Sequence, residues 1–110
     1  MIDHMGFPVA DATRSRKFYD AALAPLGLSV QMEATPEQTE SGGTALGYGR
    51  DGNPFFWVGD NEGEPRGEAG IASGTHVAFT VETRAEVDTF HAAALEAGGK
   101  DNGAPGLREH

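Results

Sequence analysis

Two short segments of the chain have the apolar pattern of a β-strand. Residues 2–9 form the first, and residues 75–81 form the second, in which Val77, Phe79 and Val81 recur at every second position. A period of two places alternate side chains on one face of a strand. The pattern therefore predicts one strand at the beginning of the chain and another in its C-terminal third.

A segment with helical spacing follows each of these strands. Its apolar residues recur at the intervals of an amphipathic helix. Asp11 is a suitable N-cap for the first helix, and Thr83 with Glu86 three positions later has the form of a capping box for the second. Gly27 and Gly99 are placed to end the two helices. Each half of the chain is thus predicted to begin with a strand and a helix.

Three further strands are predicted after the first helix. They cover residues 28–33, 44–49 and 54–59, and the sequence Asp-Gly-Asn between the last two is a turn signal. Strict alternation along the first of these strands would place Val30 and Met32 on one face. The first half of the chain is therefore predicted to be a β-α-β-β-β unit.

The second half repeats the beginning of the first. When residues 4–27 are laid over residues 76–99 without a gap, eight of the 24 positions are identical. Any two strand-and-helix segments share Phe, Ala and Leu for packing reasons, but the shared His and Gly favour a true repeat. The identical pairs are His4/His76, Phe7/Phe79, Val9/Val81, Phe18/Phe90, Ala21/Ala93, Ala22/Ala94, Leu23/Leu95 and Gly27/Gly99.

The second copy is shorter than the first. We divide a single domain, residues 1–110, into module one (1–59), a Gly- and Glu-rich connector (60–74) and a truncated module two (75–110), which lacks its last two strands. A shortened protein and a sheet completed by another chain both fit this pattern. Because open strand edges pair with other chains, we expect a homodimer, with exchange of strands between subunits as one way to form it.

Composition indicates a folded chain with a thin core and excludes several classes of protein. Leu, Ile, Val and Phe account for 20 of the 110 residues, and the net charge is −9, with 17 acidic and 8 basic residues. This charge opposes binding to nucleic acid phosphates and favours cationic over anionic ligands. The absence of Cys excludes disulfides and thiolate metal sites.

The chain contains no sequence signal for a membrane span or for secretion. No apolar stretch approaches the length of a membrane span, and the first residues lack the basic and apolar regions of a signal peptide. We therefore expect a cytoplasmic protein with no nucleic acid or membrane partner.

Tandem β-α-β-β-β modules with a histidine on the first strand of each resemble the vicinal-oxygen-chelate superfamily. This superfamily includes glyoxalase I, fosfomycin and bleomycin resistance proteins, and extradiol dioxygenases. The resemblance implies an α+β fold in which tandem βαβββ modules form a cupped, half-open barrel, here with an incomplete second module. The motifs that carry it are Ile2-Asp3-His4, Val9-x-Asp11, Phe18-Tyr19 and Thr75-His76-Val77-Ala78-Phe79.

The resemblance also implies a divalent metal ion in the cup. His4 and His76 are the matching ligand positions, and Zn, Ni, Mn or Fe is the implied ion. The accompanying carboxylate is absent, because the fourth strand of module one reads Phe55-Phe56-Trp57-Val58 and its counterpart in module two would lie beyond His110. The implied enzyme is a lyase of the glyoxalase I type or a dioxygenase, whose substrate chelates the metal through adjacent oxygens. No catalytic residue is assigned.

The alternative function is metal-free binding of a planar or apolar small molecule, as in the resistance proteins of the superfamily. Alternation along the last strand of module one would place Phe55 and Trp57 on one face as an aromatic wall, joined by Tyr48 and Met32. Packing of both faces is the simpler interpretation of these aromatics. For the two histidines, the simpler interpretation is a hydrogen bond in a core or at a strand end.

Overall fold

The computed structural model describes residues 1–39, 42–60, 76–101 and 103–107. Most of the predicted connector and the last three residues of the predicted module two lie outside this part of the chain. The described elements are β1 (Met5–Pro8), α1 (Ala12–Leu23), a 3-10 turn (Ala24–Leu26), β2 (Ser29–Ala34), β3 (Ala45–Arg50), β4 (Asn53–Gly59) and α2 (Arg84–Glu96).

The four strands form one mixed sheet in the order β1-β4-β3-β2. β1 runs parallel to β4, and β3 is antiparallel to both β2 and β4. Parallel strands cannot be joined by a tight turn, and here α1 belongs to the long connection between β1 and β4. The predicted β-α-β-β-β unit is confirmed. The described residues form an α+β fold whose sheet does not close into a barrel.

Both helices begin where their capping residues predict. The Asp11 carboxylate accepts hydrogen bonds from the backbone N–H groups of Thr13 (2.9 Å) and Arg14 (3.2 Å) at the start of α1. Thr83 and Glu86 form the reciprocal hydrogen bonds of a capping box at the start of α2. These bonds satisfy backbone donors that have no partner within the first turn of a helix.

The hairpin between β3 and β4 confirms the predicted turn. Asp51 and Gly52 have positive φ angles of 54° and 76°. Positive φ at both central positions is the condition for a type I′ turn, whose twist matches that of the strands it joins. The short hairpin fixes the side-by-side position of β3 and β4 at the centre of the sheet.

The core lies between α1 and one face of the sheet. The largest fully buried side chains are those of Leu23 in α1, Leu46 and Tyr48 in β3, and Val58 in β4. Helix α2 contributes no fully buried residue, although its Phe90 packs against this cluster. The second half of the chain therefore adds to the edge of the core rather than to its centre.

Residues 76–81 keep the alternation that predicted a strand, but none of the described strands pairs with them. Val77, Phe79 and Val81 are half-buried against the core, and the residues between them are exposed. Within the part of the chain that the structure describes, this segment makes no backbone hydrogen bond. A strand needs a second strand to bond its N–H and C=O groups. The predicted alternation is therefore present, whereas residues 76–81 form no strand with the described part of the chain.

A β-bulge in β2 changes which side chains share a face. Val30 pairs with Tyr48 and Met32 pairs with Gly47, which leaves Gln31 as an extra residue. An extra residue in one strand reverses the alternation beyond it. Val30 therefore packs against the core, whereas Met32 points away from it and is 53% exposed. The prediction that Val30 and Met32 share a face is wrong.

A second bulge, in β4, has the same effect. Adjacent residues of β3 pair with Phe56 and Pro54, which leaves Phe55 as an extra residue. Phe55 consequently packs against the core cluster together with Phe56. The predicted alternation of Phe55 with Trp57 on one face fails for this reason.

Candidate functional site

Three of the six predicted site residues meet in a recess of about 380 Å³ on the sheet. They are His4, Met32 and Trp57, which come from the segment before β1, from β2 and from β4. We call this feature the Trp57 recess. It is lined by Asp3, His4, Gly6, Met32, Asn53, Pro54 and Trp57.

The recess lies on the face of the sheet that points away from α1. Glu33, the residue after Met32, points towards α1, because its Oε1 lies 3.1 Å from Nη1 of Arg16. Neighbouring side chains of a strand point to opposite faces, so Met32 points away from the helix. Cross-strand partners share a face, and the register runs from Met32 to Gly47 to Trp57. These three residues therefore lie in one row across the sheet, and Met32 and Trp57 line the recess.

Gly47 makes room for the Trp57 indole to lie across β3. A Cβ atom at Gly47 would lie 2.8 Å from Cζ2 and 2.9 Å from Cε2 of Trp57, and 2.7 Å from Cβ of Pro54. Gly47 is therefore a part of the site that the sequence argument missed. Its signal was a glycine inside a predicted strand, which often marks the close approach of another group.

His4 supplies the polar edge of the recess together with Asp3. Its Nδ1 lies 2.9 Å from Oδ2 of Asp3, and both side chains are exposed. A carboxylate on Nδ1 favours the tautomer that carries its proton there, which leaves the Nε2 lone pair of a neutral ring for a ligand. The pair can therefore accept a hydrogen bond at Nε2 and present negative charge at Asp3.

His76 is exposed, and it is not among the residues that line the Trp57 recess. The described residues contain no group of three or more His, Asp or Glu side chains arranged to hold a metal ion. Catalytic metal sites of this kind use about three protein ligands. Two imidazoles fall short of such a set, so the residues described do not fit the implied metal, and no reaction step is derived through it.

Tyr48 lies in the core instead of in the ligand pocket. Its side chain is fully buried, and its hydroxyl donates a hydrogen bond of 2.9 Å to Oδ1 of Asp20 in α1. Its position next to Gly47 in β3 turns it to the helix side of the sheet. Burial, followed by the hydrogen bond to the Asp20 carboxylate, raises the pKa of Tyr48 well above its usual value. Its predicted place in the pocket is therefore corrected to a packing role.

Phe55 lines a different cavity, of about 310 Å³, on the core side of the sheet. Phe56 and Phe79 also line this cavity, and Arg50 stands at its polar side, where its Nη2 donates to the carbonyl oxygen of Leu26 (3.0 Å). The bulge in β4 accounts for the separation of Phe55 from Trp57. The predicted aromatic wall is thus reduced to Trp57.

Comparison with protein families agrees with this geometry. A family model described as "Glyoxalase/Bleomycin resistance protein/Dioxygenase superfamily" matches residues 1–109. The chain belongs to this superfamily. The resemblance carried by the two histidine motifs is confirmed, and the mixed sheet is that of a partial module of the glyoxalase fold.

A search of curated proteins found no significant match. Among the described helices, none has the length and apolar character needed to cross a membrane.

Proposed function

We propose that this glyoxalase-superfamily chain binds a small planar molecule in the Trp57 recess without the help of a metal ion. The observation that carries the proposal is the position of the Trp57 indole across Gly47, in a recess that Met32 and Pro54 also line. This arrangement presents a rigid aromatic surface on the face of the sheet that points away from α1. His4 adds one polar group at the edge, as expected of a pocket in which a few polar atoms orient a ligand.

The recess is suited to a planar ligand for two reasons. A flat ring in contact with the indole gains about 0.5–1.5 kcal/mol beyond the apolar area that it buries. The thioether of Met32 is flexible and polarisable, so it adapts to rings of different outline. A ligand of the size of a two-ring aromatic is expected to bind with a Kd on the order of 1 mM or below.

Titration of Trp57 fluorescence tests this proposal. Trp57 is the single tryptophan of the chain, so its emission reports on this recess alone. We expect saturable quenching by 2-methylquinoline that is unchanged by a chelator. The substitution Met32→Ala should weaken binding several-fold, because it removes one wall of the recess. Met5→Ala is the matched control, since Met5 is also partly exposed but lines the other cavity. Quenching that rises linearly without saturation would contradict the proposal.

A divalent-metal enzyme is the second candidate function. His4 and His76 occupy equivalent positions of the repeat, and both are exposed rather than used in the core. This candidate takes Zn, Ni, Mn or Fe as the ion and a lyase or dioxygenase as the activity. It requires a carboxylate ligand besides the two imidazoles. Metal binding is therefore measured separately, as described in the Discussion.

A further inference from the structure

The described lining of the Trp57 recess includes one negatively charged side chain, that of Asp3. None of these described residues is Lys or Arg. The Asp3 side chain is 85% exposed, and its Oδ2 meets His4 at the rim of the recess. A ligand on the Trp57 indole therefore meets negative charge at that rim.

Several cationic side chains of the described residues lie on the other side of the sheet. Arg14, Arg16 and Lys17 belong to α1, which covers the opposite face. Arg16 meets Glu33 there, and Arg50 lines the cavity on the core side, where it bonds to a backbone carbonyl. Among the described residues, the lining of the recess thus carries no basic side chain other than the His4 imidazole, in a chain whose net charge is −9.

We propose that the Trp57 recess selects a planar molecule that carries a positive charge. This inference rests on the proposed function and specifies its ligand class. The face of an indole attracts cations more strongly than that of any other side chain, because its ring quadrupole is negative there. The Asp3 carboxylate supplies a second attraction at the rim. The negative field of the chain favours a cation and disfavours an anion.

Calorimetric titration with three ligands of similar size tests the inference. The probes are N-methylquinolinium, which is a permanent cation, 2-methylquinoline at a pH where its nitrogen is unprotonated, and 2-naphthoate, which is an anion. We expect the cation to bind about fivefold more tightly than the neutral ring, because a single cation–π contact increases affinity by about this factor. The anion should bind more weakly than either.

Two pairs of variants assign the preference to the recess. Asp3→Asn should lower the ratio of cation affinity to neutral affinity about two- to threefold, which is the loss expected for one exposed charge. Asp88→Asn makes the same change of charge on the exposed surface of α2 and should leave the ratio unchanged. Trp57→Leu should abolish binding of the cation and the neutral ring alike. His91→Gln, a substitution on α2 at a residue that does not line the recess, should leave both affinities unchanged.

The outcomes separate this inference from the proposed function. Equal affinity for the cation and the neutral ring, with both lost in Trp57→Leu, would overturn the charge preference and leave the binding function intact. A cation preference that persists in Asp3→Asn and falls in Asp88→Asn would overturn the assignment to the recess. Absence of saturable binding by all three probes would overturn both proposals.

Discussion

The Tyr48 hydroxyl donates a hydrogen bond to Oδ1 of Asp20 and so joins the centre of the sheet to α1. The phenol is fully buried, whereas the Asp20 side chain is half exposed and also faces Arg16 at 3.5 Å. A sheet residue predicted to line a ligand pocket therefore holds the helix in place. This relationship has consequences for stability that can be measured.

Removal of the Tyr48 hydroxyl should destabilise the fold. We expect Tyr48→Phe to lower the free energy of unfolding by about 1 kcal/mol, the usual net contribution of one hydrogen bond. Urea denaturation followed by circular dichroism measures the change. Tyr19→Phe is the matched control, because in the described part of the chain the Tyr19 hydroxyl has no hydrogen-bond partner. An equal loss in both variants would contradict the role of the Asp20 bond.

Tyr48 also predicts a loss of stability at alkaline pH. Burial and Asp20 raise the pKa of Tyr48 in the folded state above its unfolded value of about 10. The unfolded state therefore loses the phenolic proton first, and the free energy of unfolding falls as the pH rises above about 10, whereas below that pH the contribution is complete. Urea midpoints measured across this range should fall less steeply in Tyr48→Phe. The same slope in both proteins would show that other groups cause the loss.

The Trp57 recess should be sensitive to a methyl group at Gly47. We expect Gly47→Ala to displace the indole, since the new Cβ would lie under 3 Å from two of its ring atoms. Weaker binding of planar ligands and a shifted Trp57 emission maximum would report the displacement. Gly106→Ala is the control, because a Cβ at Gly106 would meet no atom of the described residues within 4 Å, its chain neighbours aside. Unchanged emission and binding in Gly47→Ala would contradict the described packing of Trp57.

The metal hypothesis makes a prediction opposite to that of metal-free binding. If His4 and His76 hold an ion, the protein retains Zn, Ni, Mn or Fe after desalting from an excess of the ion, and either His4→Ala or His76→Ala releases it. Elemental analysis measures the stoichiometry, and His91→Ala is a control from the helix surface. Only traces of metal in the unmodified protein would reject the hypothesis. Retention that survives both substitutions would place the ion elsewhere.

Association of the chain is predicted from the unpaired segment at residues 76–81. Its backbone groups make no hydrogen bond within the described residues, and an extended edge of this kind pairs with another chain. We expect a concentration-dependent homodimer in sedimentation experiments. Thr80→Lys should weaken it, because a lysine on an edge opposes pairing, whereas Thr89→Lys on α2 should not. A pure monomer at all concentrations would contradict this prediction.

The local elements of the fold could be predicted because their signals lie within a few residues of one another. Asp11 and Thr83 cap helices through donors two or three positions away, and Asp51-Gly52 forms its turn from the conformations of two adjacent residues. The match of the motifs around His4 and His76 to a superfamily is likewise a property of sequence. The four strands of the first half were predicted to within a few residues, whereas the strand predicted at residues 75–81 is not among the described elements.

The candidate site was predicted less completely because it depends on pairing between strands. Met32 and Trp57 line one recess, whereas Tyr48 and Phe55 lie on the core side of the sheet. Phe55 was assigned to the pocket by strict alternation with Trp57. The extra residues Gln31 and Phe55 break that alternation, and they are recognisable only from the register of the neighbouring strands. Gly47 was missed because its role is to leave space for a side chain of another strand.

The amino-acid sequence alone determined the order of strands and helices in module one, the helix caps, the hairpin turn and the superfamily, because each depends on short-range conformational preference or on a pattern of residue types. Tertiary structure decided which side of the sheet each aromatic residue occupies, which histidine lies beside Trp57, and whether residues 76–81 acquire a partner strand. These features depend on the hydrogen bonds and close contacts of residues distant along the chain, and such contacts exist only after the strands have paired.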